Sequence, residues 1–138
     1  MPLTVKIRTG INDNEINVHE VVEGLKAAGA RAVTIHGRTM ESRYSKPADW
    51  DLIRDVAAAH PSFPIIGNGD ILTAYDAQQK MGQIGGSISG PTGLMTGRGA
   101  LIKPWIFKEY AEGKSYNPSA AERVSGSDLE LEIDELGS

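Results

Sequence analysis

Four short β-branched or apolar segments, Leu3–Ile7, Ala32–Ile35, Phe63–Ile66 and Gly93–Thr96, recur with centres near residues 6, 34, 65 and 95, and so at spacings of 28, 31 and 30 residues. A period near 30 with near-continuous apolar strands is the signature of β-strands joined by helical crossovers, which place a parallel sheet under helices. Helical spacing fills the intervals. Val18, Val21, Val22 and Leu25 form the first stripe, with Asn17 and Glu20 as a capping box and Gly29 as its stop. Asp49 caps a second helix over Trp50–Ala59, with Ile53, Val56 and Ala57 inward, and Thr73 with Asp76 opens a third to about Met81. The pattern βαβαβαβα is half of a (β/α)₈ barrel, whose usual length is about 250 residues. A doubly wound open sheet has the same periodicity.

Two stretches stand outside the pattern. Gly82–Gly93 reads as a Gly/Ser-rich insertion, longer than the usual helix-to-strand connection. Residues 125–138 read as an acidic, disordered tail, which divides the chain into a half-barrel over 1–124 and the tail. The net charge of -4 is concentrated there: residues 128–136 hold five acids, leaving 14 basic and 13 acidic side chains elsewhere. A nearly neutral body neither requires nor excludes a nucleic-acid partner. Zero Cys excludes disulfides, thiolate metal sites and a cysteine nucleophile. No His/Asp/Glu spacing suggests a metal, no apolar run suits a membrane, and the residues that open the chain have no signal-peptide pattern, so a cytoplasmic protein is expected, with the nucleus also open.

In parallel α/β folds functional groups collect at the C-terminal ends of the strands. Those ends read Lys6-Ile7-Arg8-Thr9-Gly10, His36-Gly37-Arg38-Thr39, Gly67-Asn68-Gly69-Asp70 and Gly97-Arg98-Gly99-Ala100. The last two expose backbone N–H groups beside glycines and ahead of helix N-termini, and Arg98 adds a fixed cation, a combination suited to phosphate. Lys6 alternates with Val5 and Ile7 and so projects from the opposite face, where it would stabilise a developing anion. His36 ends an apolar strand, as a site residue or as a satisfied core histidine. His19 and His60 receive no role.

These residues carry a resemblance. Leu-Thr-Val-Lys-Ile-Arg-Thr-Gly, Val-Thr-Ile-His-Gly-Arg-Thr, Arg-Tyr-Ser-Lys-Pro-Ala-Asp-Trp, Ile-Gly-Asn-Gly-Asp-Ile and Gly-Arg-Gly-Ala-Leu-Ile-Lys-Pro-Trp-Ile-Phe, in this order over residues 2–123, resemble the tRNA-dihydrouridine synthases. The Arg-Tyr-Ser-Lys and Lys-Pro-Trp-Ile-Phe segments look most like the third eukaryotic branch. The resemblance implies the C-terminal half of an FMN-dependent barrel that reduces the uracil C5=C6 bond in tRNA, with NADPH as reductant. It further implies that Lys6 and His36 contact the flavin ring, that Asn68, Gly69, Asp70, Gly97 and Arg98 hold the ribityl phosphate end, and that Arg8 and Arg38 face the substrate. The family's proton-donating Cys, on a loop of its first half, has no counterpart here, so the chain supplies no catalytic residue and is expected to be inactive alone. The alternative is a non-catalytic flavin- or phosphate-binding half-barrel that self-associates through open sheet edges.

Overall fold

The computed structural model describes residues 1–85 and 92–113; the acidic tail and residues 86–91 of the expected insertion lie outside the described residues. Four strands, β1 (Thr4–Arg8), β2 (Ala32–His36), β3 (Ile65–Asn68) and β4 (Gly93–Met95), form one parallel sheet in the order β1-β2-β3-β4. Helices α1 (Val18–Ala27), α2 (Trp50–Ala59), α3 (Ala74–Gly85) and α4 (Arg98–Ile102) each follow a strand, and α5 (Ile106–Glu112) comes last. The sequential order is that of the expected half-barrel. None of the described helices is long and apolar enough to cross a membrane.

The register sorts the strand residues onto two faces. Val5, Val33 and Ile65 are aligned, as are Ile7, Ile35, Gly67 and Leu94, so one face is apolar. Val33, Ile35 and Ile65 are buried there with Val18 and Val22 of α1 and Ile53 and Val56 of α2. At Gly67 the six-membered ring of Trp50 comes so close that a Cβ would lie 2.3 Å from Cζ3. The glycine thus admits the start of α2 to the sheet. The opposite face holds the alternating polar set: Lys6, Thr34 and Ile66 in one row and Arg8, His36, Asn68 and Met95 in the next. In a closed barrel that face would be the interior, and its last row would border the C-terminal mouth.

Local signals explain the helix limits. Asp49 Oδ1 accepts from Leu52 N–H at 3.0 Å, and α2 has the expected bounds. Asp76 N–H donates to Thr73 Oγ1 at 3.0 Å while Asp76 Oδ2 accepts from Thr73 N–H at 3.1 Å, a reciprocal box that opens α3. Gly29, at φ +93°, follows the end of α1, where Ala30 N–H reaches Leu25 O and Gly29 N–H reaches Lys26 O.

Two expectations are corrected. Asn17 makes no side-chain cap, because its backbone (φ −127°, ψ 14°) lies outside the capping conformation while its N–H is bound to Thr9 O. The expected insertion begins as helix, since α3 continues to Gly85; each further residue of a formed helix adds a hydrogen bond, which offsets the cost of glycine.

The chain divides into two compact units, Met1–Asp70 with Lys80–Met95, and Ile71–Gln79 with the residues from Thr96 onward. In the second, Ile71, Ala74, Ala77, Trp105 and Ile106 are buried. Gly99 is pressed against the backbone there, a Cβ at this position falling 2.3 Å from Ile71 O.

Candidate functional site

Arg38 organises the C-terminal ends of β2 and β3. Only 4% exposed, its guanidinium donates from Nε to Lys46 O at 2.8 Å, from Nη1 to His36 Nε2 at 3.1 Å and from Nη2 to Asp70 Oδ1 at 2.6 Å. The Tyr44 ring lies 4.9 Å from the guanidinium carbon, a cation–π contact. Asp70 Oδ2 accepts from Ala48 N–H at 2.6 Å, so one carboxylate ties the loop after β3 to the loop after β2. The chain reaches this geometry through Gly69 at φ +127° and Asp70 at φ 57°, a left-handed conformation that Asp tolerates better than most residues. A Cβ on Gly69 would fall 2.7 Å from Ala48 Cβ and 3.1 Å from His36 Cδ2.

The loops after β1 and β2 are joined as well. Thr9 N–H donates to Arg38 O, Met40 N–H to Gly10 O and Glu41 N–H to Ile11 O, while Arg8 Nη1 donates to Thr39 O at 3.1 Å. Lys46 pairs with Asp13 across the same junction. A cavity of about 660 Å³ opens beside it, lined by Thr9, Thr39, Ser42, Lys46 and Asp49 among others. Of the residues singled out in the sequence, that lining includes Arg38 but not Lys6, Arg8, His36 or Asn68. The polar row on the sheet, not the cavity, therefore carries the candidate chemistry.

The first unit thus brings together Lys6, Arg8, His36, Arg38, Asn68, Gly69 and Asp70. Lys6 and Arg8 are exposed, and His36 and Asn68 are nearly buried between them and β4. Asn68 is oriented by its Nδ2 donating to Met95 O at 2.9 Å. Two of these side chains are already engaged within the chain: the Arg38 guanidinium by Lys46, His36 and Asp70, and the Asp70 carboxylate by Arg38 and Ala48. No sequence signal points to the Arg38–Asp70 tie, because nothing local links residues 32 positions apart. Gly97 and Arg98 lie in the second unit, where Gly97 precedes α4 and Arg98 is its exposed first residue. Among the described residues no group of three or more His, Asp or Glu is placed to hold a metal ion.

Burial, then the charges of Arg8, Lys6 and Arg38, push the His36 imidazole down to about 4, against an opposing pull from Asp70. The folded value lies below the unfolded one, so between the two the unfolded chain binds a proton that the folded chain refuses. His36 therefore contributes stability fully above its ordinary value and progressively less as pH falls toward 4. Lowering the pH from about 7.5 to about 5 is expected to cost roughly 2 kcal/mol through this residue. Urea titrations at both pH values check it, since His36→Gln should lack that part of the slope.

Residues 1–129 match the family described as "Dihydrouridine synthase (Dus)". Among curated proteins, a human tRNA-dihydrouridine(47) synthase NAD(P)(+)-like protein is 43% identical over 124 residues, and a tRNA-dihydrouridine(47) synthase of Coprinopsis cinerea is 42% identical over 134 residues. A relative from Oryza sativa is 39% identical over 125 residues. Each alignment covers 90% of this chain, which spans about a fifth of the relatives' length, 18%, 19% and 18% respectively. The parallel half-barrel, the cationic and polar row at its strand ends and the match over nearly the whole sequence agree, and the chain belongs to the dihydrouridine synthase family.

Proposed function

We propose that this chain forms the flavin-facing and substrate-facing strands of a tRNA-dihydrouridine synthase that uses FMN and NADPH to reduce the uracil C5=C6 bond in tRNA. The observation that carries the reading is the row Arg8–His36–Asn68, with Lys6 one row below it, at the C-terminal ends of three adjacent parallel strands. The donor set fits a flavin: two exposed cations suit a ring system that gains negative charge on reduction, and His36 and Asn68 add neutral polar groups beside them. Gly69 keeps the neighbouring backbone free of a side chain.

Bound flavin supplies the hydride for the C5=C6 bond. The protein's own part is to bind and orient. Lys6 and His36 would hold the ring, with Asn68 and the 69–70 backbone toward the ribityl chain. On the family resemblance alone, the reading extends to Gly97 and Arg98 as contacts of the phosphate. Arg8, exposed at the end of β1, would meet the tRNA substrate.

Titrating the purified chain with FMN, followed by quenching of flavin fluorescence, tests this reading. Lys6→Ala should weaken binding about tenfold, the equivalent of one charge-assisted contact. Arg54→Ala, on the exposed side of α2 in a pair with Asp51, should leave it unchanged. No saturable binding, or equal affinities for wild type and Lys6→Ala, would overturn the assignment.

A further inference from the structure

Arg38 does more than close a loop, because its contact with His36 restricts what that ring can be. A guanidinium has five N–H donors and no acceptor, and it stays charged throughout the accessible pH range. Its 3.1 Å contact from Nη1 to His36 Nε2 is therefore a hydrogen bond only if Nε2 presents a lone pair. A doubly protonated ring has no lone pair, and a ring carrying its hydrogen on Nε2 has none at that atom. One form remains, the neutral ring with its hydrogen on Nδ1.

The surroundings fix this arrangement. Arg38 is nine-tenths or more buried and cannot swing away, because Nε is held by Lys46 O and Nη2 by Asp70. Asp70 is in turn held by Ala48 N–H, and Tyr44 packs over the guanidinium. Gly69 lies so near the His36 ring that a Cβ there would fall 3.1 Å from Cδ2 and 3.5 Å from Nε2, so a larger residue would crowd the ring. His36 Nδ1 has no hydrogen-bond partner among the described residues, and its residue stands in the polar row between Arg8 and Asn68.

We propose that Arg38 is a positioning residue that locks His36 as the neutral Nδ1–H tautomer, so that His36 offers the polar face a hydrogen-bond donor for an acceptor atom of the bound ligand. This rests on the flavin reading for the identity of the ligand, but not for the state of the ring. Lys6 and Arg8 on β1 repel a charged imidazole and Asp70 after β3 is already paired with Arg38, which agrees with the neutral form. The ligand group facing His36 is then a carbonyl oxygen or an unprotonated ring nitrogen, not an N–H.

The test is a long-range ¹H–¹⁵N correlation spectrum of the flavin-free chain carrying ¹⁵N-labelled histidine, with the His36 signals assigned by their loss in His36→Gln. The expected pattern near neutral pH is a protonated Nδ1 and a lone-pair Nε2. In Arg38→Gln, whose amide can accept as well as donate, a readily measured share should move to the Nε2–H tautomer. A wild-type spectrum showing Nε2–H or a charged ring overturns the proposal, as does a folded Arg38→Gln variant with the wild-type pattern. Should that variant fail to fold, the wild-type spectrum decides alone. Because no flavin is present, a failed FMN titration and a failed tautomer assignment are separate results.

Discussion

Replacing Asp70 by Ala should lower the unfolding free energy by about 3–5 kcal/mol, the usual result of leaving one partner of a buried ion pair uncompensated. Arg38 is 4% exposed, and the 2.6 Å contact to Asp70 is the ion pair that neutralises it in the structure. The substitution also takes the acceptor from Ala48 N–H and puts alanine at φ 57°, which adds roughly 1–2 kcal/mol for a non-glycine residue without a local hydrogen-bonding side chain. Because the Asp70 side chain is 28% exposed, water will enter and the lower part of the range is the expected one. Asp70→Asn separates the contributions: it tolerates the left-handed backbone and keeps an acceptor but loses the charge, so its midpoint in urea should lie between those of wild type and Asp70→Ala. An unfolding free energy for Asp70→Ala within about 1 kcal/mol of wild type would show that the Arg38–Asp70 tie does not hold these loops together.

The second large effect concerns turnover. Given FMN, NADPH and unmodified tRNA, the chain is expected to form no dihydrouridine detectable by mass spectrometry of digested tRNA. Saturating the C5=C6 bond requires a proton at one carbon as well as a hydride at the other, and general acid catalysis contributes about 10²–10⁴-fold. This chain has no cysteine to act as the family's donor. His36 is a poor substitute because it is neutral and its Nε2 is engaged by Arg38. Tyr44, the other candidate on this side, packs against Arg38 and lies 6.2 Å from the His36 ring, centroid to centroid. Product formation should appear when a polypeptide carrying the Cys-bearing first half of a family barrel is added. Robust turnover by the chain alone would place the proton donor among residues 1–138 and remove the cysteine requirement. It would also reject the non-catalytic alternative.

The sequence revealed those parts of the fold that depend on neighbours along the chain. Asp49 and the Ile53, Val56 and Ala57 stripe set α2 to the residue, because a cap and a helical period are both local. The alternation Val5-Lys6-Ile7-Arg8 predicts the two faces of β1, and parallel register carries the same division to β2 and β3. What sequence spacing could not show was pairing between loops. Arg38, His36, Asp70 and Ala48 are drawn together by the fold, and only there does the Asp70 carboxylate become a partner for Arg38 rather than a free polar group beside glycine. The short α5 has no counterpart in the sequence pattern, which places one helix after each strand.

The position of β1 at the end of the strand order has a consequence for handling and for evolution of such a chain. Among the described residues β1 pairs on one side only, with β2, and a strand with an open side is a template from which sheets grow between molecules. Lys6 and Arg8 stand on that strand, exposed, two residues apart. Charges of one sign on an edge oppose the stacking of identical copies, since each added strand brings the same cations into line. Where that side is open, Lys6 and Arg8, the pair proposed for cofactor and substrate, would also oppose edge-to-edge association of identical copies, and selection on solubility would then favour basic residues at these two positions.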